Sequence, residues 1–134
     1  MDNTIEYLNT DLDLKSPTDL EPLASALRSG GVFDLHVSRW DDGLWYARFE
    51  TDECYSEPEP NITAMLDVLE RLPEAQRATW DQCILREFNI GYDCGDKPWA
   101  FNQGLAPELL GRLAAIGASL RITLYPDREF NTGK

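Results

Sequence analysis

The sequence predicts an α+β fold, a single mixed β-sheet with its helices packed on one face. Three observations lead there. Stretches in which apolar and polar residues alternate are interleaved with stretches in which leucines recur every three or four positions. Glycine and proline mark the boundaries between the two kinds of stretch. A pattern of proline, leucine-spaced helix, glycine stop and alternating strand occurs twice, at 17–37 and 107–124, as strand–helix–strand units with right-handed crossovers would give.

Residues 5–14 alternate as a strand, with Leu8, Leu12 and Leu14 on one face and Asp11 and Asp13 on the other. A helix starting at Thr18 or Asp19 keeps Pro22 in its first turn, and Thr18 with Glu21 matches a capping box. Leu20, Leu23, Ala24 and Leu27 form its apolar stripe, and Gly30-Gly31 ends it. Residues 32–40 and 44–51 read as a hairpin around Asp41-Asp42-Gly43. A three-residue loop places Phe33, Leu35 and Val37 beside Thr51, Phe49 and Ala47, and requires Gly43 in the left-handed conformation.

An acidic, proline-marked loop over 50–60 leads to a helix capped by Asn61, with Ile62, Met65, Leu66, Leu69 and Leu72 inward. Pro73 breaks or restarts it, and 74–80 adds a short piece. Ile84, Phe88, Ile90 and Tyr92 alternate as a strand, and Trp99-Ala100-Phe101 reads as a short one. Pro107 opens a last helix, with Leu109, Leu110, Leu113 and Ile116 inward, that Gly117 closes, before a strand of Leu120, Ile122 and Leu124. The expected order is β-α-β-β-α-β-β-α-β. The 134 residues make one domain, 1–134, fraying from Pro126 through 134.

An apolar fraction of 43% and a charged fraction of 27% are those of a globular protein with a core of its own. Without a membrane-spanning run or a signal-peptide start, the expected location is the cytoplasm. Cys54, Cys83 and Cys94 are too few and too scattered for a disulfide framework, and no Cys-x-x-Cys or Cys-x-x-His pair suggests zinc. Folding without metal, cofactor or disulfide is expected. Gly-x-Ser-x-Gly, Gly-x-x-x-x-Gly-Lys and Gly-x-Gly-x-x-Gly are absent, and a nucleophile pair of Cys94 or Cys54 with His36 has no local support, since His36 lies opposite Arg48 on the outer hairpin face. The protein reads as a binding protein rather than an enzyme.

The stretch 85–96, the run Trp99 to Gly104 and the ending Gly117 to Tyr125 resemble small bacterial proteins of an uncharacterised family. The resemblance implies a stand-alone bacterial domain and transfers no functional residues.

Charge is the one global outlier. Twenty-four acids face twelve bases, and residues 1–60 alone hold 14 acids and 4 bases. Such a field disfavours direct nucleic-acid or membrane binding. It suits docking of a basic protein partner, as an inhibitor or immunity-like protein would do, with Asp41, Asp42, Asp52 and Glu53 as candidate contacts and Asp11, Asp13 and Asp34 adding to the field. A second expectation is a small-molecule binder or enzyme built on 89–103, where Tyr92, Asp93, Asp96, Trp99 and Asn102 concentrate aromatic, amide and carboxylate groups. That segment predicts a concave surface with Tyr92 and Trp99 partly exposed. A third is mimicry of nucleic-acid charge toward a DNA-binding protein.

Overall fold

The computed structural model describes residues 3–126; the rest of the tail expected to fray lies outside the described residues. Its elements are β1 (Glu6–Ser16), α1 (Glu21–Ser29), β2 (Val32–Arg39), β3 (Trp45–Thr51), α2 (Pro58–Leu69), α3 (Glu74–Gln82), β4 (Leu85–Asp93), α4 (Pro107–Ala115) and β5 (Ser119–Tyr125). The strands form one mixed sheet in the order β2-β3-β1-β4-β5. β3 is antiparallel to both β1 and β2, so β1 and β2 run parallel on either side of it. β4 is antiparallel to β1 and parallel to β5. The α+β class and the single sheet are as expected, and both repeated units join parallel strands through a helix.

Alternation puts Leu12, Leu14, Ala47, Phe49, Phe88 and Ile90 on the face that the helices cover. Leu23 and Leu27 of α1, Ile62, Met65 and Leu66 of α2, and Trp80 of α3 close over them, all buried. The indole of Trp80 donates to the Ile116 carbonyl at 2.9 Å, so its one polar group is satisfied inside the core. Arg86 bonds the carbonyls of Trp80, Asp81, Cys83 and Gly117, tying the ends of α3 and α4 to β4. Positive charge at those helix ends also complements their dipoles. No helix among the described residues is long and apolar enough to cross a membrane.

Several local expectations change. The capping box does not form: Thr18 N–H bonds Ser16 Oγ, Asp19 Oδ1 receives Glu21 N–H at 2.8 Å, and α1 begins at Glu21 with Pro22 in its first turn. α2 starts at Pro58, whose fixed φ suits a first helical position, so Asn61 is a buried first-turn residue and not a cap. The hairpin has the expected three-residue loop, with Trp40 N–H bonded to Leu44 O and Gly43 at φ +85°. Its far half is shifted: Val37 faces Ala47 and His36 faces Arg48, but Asp34, not Leu35, faces Phe49. A bulge at Leu35 absorbs one residue and turns Phe33 and Leu35 toward solvent. A second irregularity, between Tyr7 and Asn9, leaves Leu8 exposed and gives the core side to Tyr7. Ile84 precedes β4 and is exposed, Leu110 of α4 lies outward while Leu109 and Leu113 are buried, and 99–101 form no strand.

Candidate functional site

The helix-free face of the sheet is a lattice of polar side chains, because every second residue of five strands projects from it. Across its middle run Arg48, Asp13, Glu87 and Arg121 from four adjacent strands. Arg48 meets Asp13 at 2.6 Å, and Arg121 meets Glu87 at 2.7 Å. Nearer one end of β1, Asn9 donates to Asp11 at 3.0 Å and to Glu50 at 2.9 Å, while Thr123 donates to Asn89 at 2.7 Å.

Beside this lattice lies a cleft of about 480 Å³, lined by Leu8, Asn9, Asp11, Asn89, Gly91, Asp93, Tyr125 and Pro126. Strand alternation supplies its floor: Asn89, Gly91 and Asp93 of β4 project between β1 and the end of β5. Gly91 keeps the floor open, since a Cβ there would stand 3.4 Å from the Tyr125 ring. Among the described residues, the lining offers two carboxylates, two amides and one aromatic ring, and no cation. Burial pushes the Asp11 carboxyl above its ordinary range, an effect that Arg48, 3.9 Å away, only partly offsets.

Behind the cleft, polar groups continue through the sheet. Asn61, fully buried on α2, donates to Asn9 Oδ1 at 3.3 Å, and its own Oδ1 has no hydrogen-bond partner among the described residues. Tyr7 bonds Thr10 at 2.6 Å, and burial drives its hydroxyl up to about 12. It is a neutral hydrogen-bonding group at any physiological pH.

The sequence candidates scatter. Asp93 is in the cleft. Tyr92, its neighbour, points the other way: it is 2% exposed, edge-on to Tyr7 and Phe101, and donates to Gln103 at 2.9 Å. Trp99 is 99% exposed and Asp96 is also exposed, so the concave surface carrying Tyr92 and Trp99 together does not form. Asn102 lines a second, shallower hollow of about 540 Å³ with Ile5, Glu57, Phe101 and Gln103. Asp41 and Asp42 sit at the hairpin tip, and Asp52 and Glu53 at its opposite end, roughly 20 Å away along a seven-residue strand. Asp42 is engaged in the turn, accepting from Tyr46 hydroxyl at 2.7 Å and Leu44 N–H at 2.9 Å, which hold its carboxyl below the ordinary range.

Asn9 and Gly91 are among the cleft residues that the sequence left without a role of their own. The alternating triplet Asn89, Gly91, Asp93 was their available signal, polar or small on one side of a strand whose other side is apolar. Compared with known proteins, the chain matches no family model, no curated protein and no solved structure.

Proposed function

We propose that this protein is an acidic binding module that docks a basic protein partner, in the manner of an inhibitor or immunity protein, on the open face of its sheet. The cleft supports this reading. A lysine or arginine side chain entering it meets the carboxylates of Asp11 and Asp93, the amides of Asn9 and Asn89, and the ring of Tyr125. The raised Asp11 carboxyl fits such a role, because an arriving cation would compensate a charge whose desolvation is only partly offset. The surrounding acids, including Asp41, Asp42, Asp52 and Glu53, then supply the long-range field.

These two contributions separate kinetically. Asp11→Asn with Asp93→Asn should mainly speed dissociation and cost about 2–5 kcal/mol of affinity, as loss of a buried charge contact does. Amides at positions 41, 42, 52 and 53 should mainly slow association, and added salt should do the same. The measurement is a pull-down from the source lysate followed by rate constants for the best partner at low and high salt. A partner insensitive to salt and to both sets of amides rules the reading out.

A small organic cation is the second occupant that the cleft favours, because its volume falls within the range of ligand sites, about 300–1,000 Å³. Thermal stabilisation by organic ammonium or guanidinium compounds, lost in Asp93→Asn, would mark that case.

A further inference from the structure

The two edges of the sheet are managed differently. The β2 edge is interrupted by the Leu35 bulge, and Asp34 on it is tied to Arg28 of α1 at 2.7 Å. Arg39 adds a further charge. Bulges and charges of this kind keep an edge from pairing with another chain.

β5, at the other edge, has no bulge, and its single charge, Arg121, is paired with Glu87 on the open face of the sheet. It pairs with β4 in unbroken register from Ser119 to Tyr125 and contains no proline. Its helix-side residues Leu120, Ile122 and Leu124 are 37%, 57% and 63% exposed. Leu110 of α4 is exposed as well, and α4 packs on α2. The unit is also electrostatically exceptional. Residues 105–125 hold one acid, Glu108, against Arg112 and Arg121, in a chain of net charge −12. Two copies of so acidic a protein repel each other least where this edge is presented.

From these features we infer that β5 is a homodimer edge, pairing antiparallel with β5 of a second copy about a two-fold axis at Ile122. The strand is self-complementary in that register. Ile122 faces Ile122, and Leu120 faces Leu124 on the helix side. Arg121 faces Thr123 and Ser119 faces Tyr125 on the open side, so no like charges meet. Such isologous pairing satisfies the outward backbone groups of both edges and joins the two sheets into one of ten strands. The apolar rows of the two copies then cover each other, which is the usual fate of an exposed patch of this kind. The cleft at Tyr125 is brought beside the second copy, on the open face that both then share.

The test is the mass of the full chain in solution, by sedimentation or light scattering, over a wide concentration range. The wild type should associate to a dimer. Ile122→Lys should weaken it by at least about 100-fold, since it sets two like charges directly opposite each other. Leu124→Lys should act in the same direction at a second exposed position, and Leu35→Lys on the other edge should leave the dimer intact. Circular dichroism on each variant confirms that the fold persists. A wild type that stays monomeric up to its solubility limit overturns the proposal. So does a dimer indifferent to both β5 substitutions, or one that Leu35→Lys dissociates instead.

Discussion

The two faces of the one sheet use the same strands for opposite purposes. On one, Leu12, Leu14, Phe49, Phe88 and Ile90 are sealed beneath the helices. On the other, the residues between them, such as Asp11, Asp13, Arg48, Glu87 and Asn89, stand in a half-solvated network. Adjacent residues of one strand therefore do different work. Phe88 is packed on all sides, while Asn89, next to it in the chain, borders a cleft. Stability resides on the covered face, where the central strands are sealed by the helices. Binding chemistry resides on the open face, where charges keep partial access to solvent and can exchange it for a partner.

The sharpest way to break this contrast is a pair of neighbouring truncations. Phe88→Ala should cost about 3–5 kcal/mol, the penalty for emptying an aromatic core position. Asn89→Ala should cost no more than about 1 kcal/mol, a single exposed-side hydrogen bond. Denaturant titrations of the two variants should differ several-fold in the stability lost; equal losses would mean that the open face is as tightly built as the core.

The hairpin loop keeps Ala47 and Phe49 on the covered face, so its geometry sharpens the same comparison. Gly43 has positive φ and open space around its Cβ position, so backbone strain alone decides what replaces it. Gly43→Val should cost about 1–2 kcal/mol, and Gly43→Asn clearly less, because asparagine tolerates the left-handed region and a β-branched residue does not. Equal midpoints for the two variants would refute the turn.

The smallest effects are electrostatic and of opposite sign. Asp11 has a raised carboxyl, so its contribution to stability is present below the unfolded-state pKa and turns into a cost as pH rises through the folded value. Asp11→Asn should thus stabilise slightly at neutral pH, with the gain vanishing in acid. Asp34, lowered chiefly by its hydrogen bond from Arg28, behaves conversely: its stabilisation is present at neutral pH and is lost as pH falls through the folded value. Asp34→Asn should therefore destabilise slightly at neutral pH and be without effect in acid. Melting temperatures of both variants from pH 3 to 7 check the signs.

Much of the covered face was legible in the chain because burial is written as periodicity. The stripes at Leu20–Leu27, Ile62–Leu69 and Phe88–Tyr92 fall inside as predicted. The failures occur where a tertiary contact outweighs a local pattern. Leu8 and Leu35 fit their strands by alternation, yet an irregularity beside each turns it outward. Asn61 has the chemistry of a helix cap, but Pro58 starts the helix earlier and leaves Asn61 to bond Asn9. Tyr92 and Trp99 share a segment rich in aromatics, yet one is core and the other solvent. Composition alone does not distinguish those fates.

By itself, then, the sequence determined the class of fold, most of the helix and strand identities, the Gly43 turn and the acidic field, since each follows from local backbone preference, hydrophobic period or a sum of charges. The strand order β2-β3-β1-β4-β5 belongs to the tertiary structure, and so does the meeting of Asn9 and Asp11 with Asn89, Gly91 and Asp93 in one cleft. Those residues are separated by about eighty positions in the chain and become neighbours only because β1 pairs with β4. Pairing between distant strands depends on which apolar faces can be covered together. That is a property of the whole packed domain, not of either strand.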